Sequence, residues 1–140
     1  VGTNSRLDEI QAGLLRVRLS HMEELTQEKI EIASRYTKGI HNPRIKLPQI
    51  PEGSTCVYHQ YVIRCEERDR LIEYLNEKEI GTIIHYPIPP HLAEAYRYLG
   101  HHEGDFPITE RLAKTVLSIP MYNGMTEDEQ NMVIDALNRF

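Results

Sequence analysis

The chain has 140 residues, of which 40% are hydrophobic and 26% charged, and its formal net charge is −5. This composition excludes a disordered or collagen-like chain, and no apolar run approaches the roughly 20 residues of a transmembrane helix. The excess of Asp and Glu over Lys and Arg also argues against a nucleic acid or an anionic lipid surface as the partner. We therefore expect one globular domain.

The two cysteines, Cys56 and Cys65, flank a segment that the sequence predicts to be one strand. At about 3.3 Å per residue they would lie about 30 Å apart, whereas a disulfide requires Cα atoms within about 7 Å. We expect both thiols to be free, as is typical of cytoplasmic proteins. The chain begins at Val1 rather than at a methionine, which we expect of a piece of a longer protein.

Residues 4–40 are predicted to form one long helix, because apolar residues recur at spacings of three and four. These residues are Leu7, Ile10, Leu14, Val17, Met22, Leu25, Ile30, Ala33, Tyr36 and Ile40. Asn4 and Ser5 are suitable N-caps, and Gly39 and Pro43 lie where the helix should end. Such a helix, about 50 Å long, exceeds what a globule of this size can cover, so part of it should pack against another domain or subunit.

Three elements are predicted after a connection rich in proline and glycine. Residues 57–64 are rich in β-branched and aromatic side chains, which favours a strand. Residues 66–78 show helical spacing, and Gly81 follows them. Residues 82–86 are a second predicted strand, which Pro87 terminates. Strand, helix and strand in about thirty residues are typical of a split α/β unit.

The C-terminal third is predicted to contain short elements. Residues 91–99 should form a short helix, and a second helix should start at residues 105–107. The apolar face of that second helix is predicted to hold Ile108, Leu112 and Val116. Residues 117–120 are short enough for a third strand. Thr126 and Glu129 form a capping box before a last helix that should bury Val133, Leu137 and Phe140.

The most unusual stretch, residues 85–91, places two imidazoles and a phenol around a loop stiffened by proline. These groups belong to His85, Tyr86 and His91. Loops at strand ends commonly hold ligands in α/β proteins, and these side chains could donate hydrogen bonds to a phosphate. The same pattern is typical of a tight surface crossing with solvated histidines, and spacing alone does not separate the two interpretations.

Other catalytic motifs are weak in this sequence. His101, His102, Glu103 and Asp105 are close together but lack metal-site spacing, so a solvated turn is expected. Neither cysteine lies in a nucleophile motif, and there is no glycine-rich phosphate loop. Any phosphate must therefore be held by side chains or by the start of a helix.

Residues 2–6, at the start of the long helix, form a second candidate anion site. Exposed N–H groups and the positive end of the helix dipole favour an anion, and Arg6 can add a bidentate contact. Ordinary capping, with an ion pair between Arg6 and Glu9, is the alternative interpretation.

Several segments together resemble the C-terminal portion of the DegT/DnrJ/EryC1/StrS family of sugar aminotransferases. These are pyridoxal-phosphate enzymes with the aspartate aminotransferase fold. The matching segments occur in the family's order and cover essentially the whole chain: GTNSRLDEIQA (2–12), YHQYVIR (58–64), GTIIHYPIPPH (81–91), LSIPM (117–121) and the helix after Thr126. The loop segment is similar to members that make 3-amino-3,6-dideoxyhexoses on thymidine diphosphate.

The resemblance implies an α/β (α+β) fold. Residues 1–140 would be the small C-terminal domain of a pyridoxal-phosphate-dependent transferase. Residues 4–40 would form the long helix that connects it to a larger domain, followed by a small sheet covered by helices.

The resemblance also implies an activity for the full-length protein. That protein would transfer an amino group, usually from glutamate, to a keto group of a nucleotide-linked sugar. It would act as a cytoplasmic homodimer in the synthesis of amino sugars for lipopolysaccharide or other cell-surface polysaccharides.

Two parts of the family's catalytic machinery are not identifiable in this chain. They are the lysine that holds the cofactor and the acidic residue that keeps its pyridine nitrogen protonated. The family's lysine motif is absent around Lys29, Lys38, Lys46, Lys78 and Lys114. We expect both parts upstream, and the chain alone should not transaminate.

Some residues of this chain match the family's binding residues. Asn4 matches the asparagine that reaches the cofactor phosphate of the neighbouring subunit, and Arg6 is assigned to the same cofactor site. His85, Tyr86 and His91 match the region that lines the nucleotide-sugar side of the pocket. The expected contacts are the diphosphate or sugar hydroxyls, and no metal ligand is assigned.

Two noncatalytic interpretations stay open at this point. The chain could be a dimerisation module that uses the long helix, or a nucleotide-binding module that uses residues 85–91. An upstream region containing the cofactor lysine would exclude the first, and the second requires thymidine diphosphate to bind this chain. We also expect the isolated chain to self-associate through the apolar surface of the helix.

Overall fold

The computed structural model describes residues 7–140. Its helices and strands in chain order are α1 (Glu9–Ser20), α2 (Met22–Gly39), β1 (Ile45–Lys46), β2 (Tyr61–Cys65), α3 (Arg68–Asn76), α4 (Pro107–Thr115), β3 (Val116–Ile119) and α5 (Glu127–Arg139). Two 3₁₀ segments, Pro90–Leu92 and Glu94–Leu99, lie between α3 and α4. Every helix in residues 7–140 is too short or too polar to cross a lipid bilayer.

A break at His21 divides the predicted long helix over residues 4–40 into α1 and α2. The backbone N–H of His21 donates to the carbonyl of Arg18 at 3.1 Å, three residues back. A bond of this kind tightens the last turn and satisfies a carbonyl at the helix end. α2 then starts at Met22 and ends at Gly39, where the sequence predicts a stop.

The sheet is antiparallel, with the strand order β1–β2–β3. In β2 the side chains alternate, because successive residues of a strand face opposite sides. Arg64 is exposed on one side. On the other side the buried residues are Tyr61, Ile63 and Cys65. This sheet replaces the predicted split α/β unit.

The buried face of the sheet shares one hydrophobic cluster with α2, α3 and α5. The rings of Tyr36 and Tyr61 meet edge to face, with centroids 5.3 Å apart. The Tyr36 hydroxyl donates to the carbonyl of Pro120 at 2.8 Å and lies 3.4 Å from the sulfur of Met125. These contacts join α2 to the segment between β3 and α5.

Two predicted strands differ from the structure. The strand predicted over 57–64 begins only at Tyr61, because Tyr58 has a positive φ of 46°, which extended backbone does not allow. The strand predicted over 82–86 is reduced to a single bridge between Ile83 and Ser118, since the chain turns into the proline-rich loop directly afterwards.

Of the helices predicted in the C-terminal third, the last agrees with the sequence and the two before it differ. The helix predicted over 91–99 is two 3₁₀ segments. Ile108 is exposed, and α4 instead buries Glu110, Ala113 and Thr115. The Thr126–Glu129 capping box is confirmed, as are the buried residues Val133, Leu137 and Phe140. Both cysteines are free, as predicted.

Candidate functional site

A cleft of about 400 Å³ lies beside the end of β3. Its lining includes Lys29 from α2, His59 from the connection before β2, and the segment 81–83. Gln60, His85 and Ser118 complete the polar part of the lining. The cleft therefore combines one ammonium group, two imidazoles, two hydroxyls and one carboxamide.

His85 is held in this cleft by β3. Its Nδ1 lies 2.9 Å from the hydroxyl of Ser118, which is buried in the strand. Ser118 is fixed by two backbone hydrogen bonds with Ile83, at 2.8 and 3.2 Å. A contact through Nδ1 leaves Nε2 as the second hydrogen-bonding atom of the imidazole, which a ligand can use.

Lys29 and His59 are site residues that the sequence analysis missed. The Lys29 ammonium donates to the backbone carbonyl of His59 at 3.4 Å, and both side chains line the cleft. The helical spacing of α2 could have identified Lys29. Lys29 lies three, four and seven residues before the buried residues Ile32, Ala33 and Tyr36, so it is on the same face of the helix. The proximity of His59 depends on tertiary structure and has no local signal.

Tyr86 lies next to His85 but points into solvent. Its ring is edge-on to the imidazole, with centroids 5.4 Å apart, and the residue is 74% exposed. The peptide bond between them is cis. Of these two predicted residues, His85 lines the cleft.

His91 lies apart from the cleft. Its Nε2 is 3.0 Å from Oε1 of Glu110, and the two side chains are only 8% and 10% exposed. The ring also packs on Phe106, with centroids 4.8 Å apart. The imidazole of His91 therefore has a hydrogen-bond partner within this chain, the Glu110 carboxylate.

The remaining sequence candidates fall into two groups. Asn4 and Arg6 lie outside the described residues. In the turn predicted to be solvated, His101 Nδ1 lies 3.5 Å from Oδ2 of the exposed Asp105. Across residues 7–140 no group of three or more His, Cys, Asp or Glu side chains is arranged to hold a metal ion.

A second, larger cleft of about 600 Å³ runs along α1. It is lined mainly by apolar side chains of α1 and the start of α2, together with Val57, His59 and Asn123. α1 buries none of its residues, and Ile10 and Leu14 are 81% and 66% exposed. This helix has the composition of an interface rather than of a solvated surface.

The fold and the two clefts define a small domain of mixed helix and antiparallel sheet, with a polar cleft and an uncovered apolar helix. Residues 1–138 match the model of the DegT/DnrJ/EryC1/StrS aminotransferase family, and the chain belongs to that family.

Individual relatives agree with this assignment. The dTDP-3-amino-3,6-dideoxy-alpha-D-galactopyranose transaminase of Aneurinibacillus thermoaerophilus is 41% identical over 99% of this chain and 38% of its own length. The structure of Streptomyces venezuelae DesV in complex with a ketimine intermediate is 38% identical over 99% of this chain and 38% of that one, with a TM-score of 0.94.

One solved relative is described in its PLP form. The PLP form of Spr1654 from Streptococcus pneumoniae is 25% identical over 94% of this chain and 35% of that one, with a TM-score of 0.82. The present chain spans about 38% of the length of the first two relatives.

Proposed function

We propose that the full-length protein is a PLP-dependent aminotransferase that acts on a nucleotide-linked keto sugar. Family membership over residues 1–138 supports this proposal, together with a relative, 41% identical, named as a dTDP-amino-sugar transaminase. The structural observation that carries it is the cleft with His85 fixed on Ser118. The substrate class is a dTDP-linked 3-keto-6-deoxyhexose, and the amino donor is glutamate.

His85 and Lys29 are the residues that we assign to the sugar nucleotide in this chain. With Nδ1 on Ser118, the imidazole offers Nε2 to a diphosphate oxygen or a sugar hydroxyl. The Lys29 ammonium adds positive charge on the same cleft. Tyr86 is exposed next to His85, where it can donate from its hydroxyl.

The cofactor site is completed by residues outside 7–140. When bound, PLP supplies the electron sink for amino-group transfer. Asn4 and Arg6 are proposed to contact its phosphate in a homodimer, and the lysine that holds it lies upstream. Lys114 and Lys78 have other partners, because Lys114 pairs with Glu103 at 3.2 Å and Lys78 lies 4.8 Å above the Tyr74 ring. Since none of the five lysines of the chain lies in the family's lysine motif, we expect the 140-residue chain to be inactive by itself.

We place the protein in the cytoplasm, in a pathway to amino sugars of lipopolysaccharide or another cell-surface polysaccharide. The free Cys56 and Cys65 support a reducing compartment.

The full-length protein and this chain should be compared side by side with PLP. We expect a borohydride-reducible visible absorption band, and transfer of the amino group of glutamate to a dTDP-3-keto-6-deoxyhexose, only in the full-length protein. His85→Ala should raise KM for the sugar nucleotide about tenfold, because one positioned hydrogen bond to a charged group is lost. His102→Ala, at an exposed histidine of the 101–105 turn, is the matched control.

Two results would overturn the proposal. One is a full-length protein that binds PLP but transfers no amino group to any keto-sugar nucleotide. The other is a His85→Ala variant with the kinetics of the His102→Ala control, which would remove His85 from the substrate site. Thymidine diphosphate binding by the 140-residue chain without PLP would instead favour the nucleotide-binding module.

A further inference from the structure

Glu110 accepts hydrogen bonds from three residues in two separate segments of the chain. Its Oε1 lies 2.8 Å from the backbone nitrogen of Gly104, 3.3 Å from that of Phe106 and 3.0 Å from Nε2 of His91. Its Oε2 lies 3.0 Å from the same Gly104 nitrogen. One carboxylate thus joins the start of α4, the preceding turn and the end of the proline-rich loop.

This carboxylate is buried, but its hydrogen bonds favour the ionised form. Burial raises the pKa of Glu110, but the hydrogen bonds from Gly104, His91 and Phe106 outweigh burial and leave its pKa below the ordinary value. An ionised carboxylate only accepts hydrogen bonds, so His91 must carry its proton on Nε2 and donate it. The Glu110 contact therefore sets the tautomer of His91 as well as its position.

The backbone around Glu110 is shaped to supply these donors. Gly104 has a φ of +98°, which strongly favours glycine, and this conformation directs its N–H at the carboxylate. Phe106 lies between two imidazoles, with centroid distances of 4.8 Å to His91 and 5.1 Å to His101. The His91 ring is thus held on a face as well as through Nε2.

The loop from His85 to His91 is fixed at both ends. His85 is bound to Ser118 at one end, and His91 to Glu110 at the other. Pro87, Pro89 and Pro90 restrict the backbone between them. A stiff segment of this kind transmits a shift at one end to the other more readily than a flexible loop does.

We propose that Glu110 is a positioning residue for the sugar-nucleotide site, acting through His91 on the loop that carries His85 and Tyr86. This inference rests on the proposed function of that loop. In this proposal His91 anchors the loop inside the protein and does not contact the ligand directly.

Kinetics of the full-length enzyme test the proposal. Glu110→Gln replaces one of the two acceptor oxygens by an amide N–H₂, which opposes a donor of Gly104 or His91 in either orientation, and His91→Ala removes the donor. We expect each variant to raise KM for the sugar nucleotide about tenfold while kcat changes less than about twofold, because the loop is displaced and the reacting groups are not. His91→Gln can still donate to Glu110 and should restore KM to within about threefold of wild type.

Glu103→Gln is the matched control, since Glu103 lies on the same turn but pairs with Lys114 on the surface. The double variant Glu110→Gln/His91→Ala should be no worse than the worse single variant, because both changes break one contact. A loss of kcat and folded fraction with unchanged KM would show a merely structural role and overturn the proposal.

Hydrogen exchange separates this inference from the proposed function. Amides of residues 83–92 should exchange faster in Glu110→Gln and His91→Ala than in wild type or Glu103→Gln. Unchanged exchange in that segment would overturn the positioning role even if KM rises. If the wild-type protein transaminates no keto sugar, the proposed function fails, while the exchange data still decide whether Glu110 orders the loop.

Discussion

Single carboxylates join segments that are distant in the sequence. Glu28 on α2 accepts from the Asn123 amide at 2.7 Å and from the backbone nitrogen of Gly124 at 2.6 Å. Both donors lie in the turn before α5. The Asn123 amide, and then the Gly124 N–H, hold the pKa of Glu28 below its ordinary value.

The lowered pKa of Glu28 predicts a pH dependence of stability. A carboxyl group with a lower pKa in the folded than in the unfolded state stabilises the fold above its unfolded pKa, near 4.5. That contribution is lost as the pH falls through the folded pKa. Glu28→Gln should therefore flatten the dependence of urea unfolding on pH between about 6 and 3.

Glu23→Gln, at an exposed position of α2, controls for the loss of one negative charge. The prediction fails if Glu28→Gln and the wild type lose stability in parallel as the pH is lowered. Both variants replace one glutamate carboxylate by an amide. A difference in stability between them therefore reports the contact of Glu28 with Asn123 and Gly124.

At the residue scale, local sequence found part of the candidate site. His85 and Tyr86 stand out because imidazole and phenol groups precede a run of prolines. Glu110 and Lys29 were missed, since their importance comes from partners such as His91 and His59, which are brought near only by folding. A periodicity argument places Ile108 inward, yet α4 turns a carboxylate inward to meet buried donors.

Among the elements, α5 has the clearest start signal. Thr126 accepts from the backbone nitrogen of Glu129, and the Glu129 carboxylate accepts from the backbone nitrogen of Thr126. Each bond satisfies a donor that the first turn of a helix leaves unpaired. α5 carries a large part of the core, so its start matters for the whole sheet.

Thr126→Ala should destabilise the protein by about 1 kcal/mol, the typical cost of losing an N-cap side chain. Thr126→Ser keeps the hydroxyl and should stay close to wild type. Urea unfolding measures both, and hydrogen exchange of the first-turn amides of α5 locates the effect. Equal stability of the alanine and serine variants would contradict the prediction.

Elements with strong local signals were predicted well, and those set by pairing were not. α3 and β3 lie within two residues of their predicted ranges, because apolar spacing and turn residues define them. β1 has two residues and exists because it pairs with β2, so no local pattern marks it. The predicted strand over 82–86 failed for the opposite reason: its composition is β-like, but only Ile83 finds a partner.

For the whole molecule, α1 is the part that the fold leaves incomplete. Its apolar residues Ile10, Leu14 and Val17 share one face and are exposed. Exposed apolar surface of this extent is covered in soluble proteins by another domain or subunit. The chain spans about 38% of the length of its relatives, so we propose that the rest of the protein covers α1.

The isolated 140-residue chain should therefore self-associate, with a mass by sedimentation that rises with concentration. Ile10→Asp/Leu14→Asp should shift it towards the monomer, because two charges on that face cannot be buried unpaired. Gln11→Asp, at an exposed polar position of the same helix, is the control. A wild-type chain that stays monomeric over the accessible concentration range would contradict the prediction.

The contact between the Tyr36 hydroxyl and the Met125 sulfur makes thioether oxidation a reporter of folding. Met125, just before α5, is only 7% exposed, whereas Met132 on α5 is 56% exposed. Peroxide converts accessible methionines to sulfoxides and leaves enclosed ones unreacted. Sulfoxide at Met132 can thus form on the native protein, but sulfoxide at Met125 records molecules in which α2 has separated from the segment before α5.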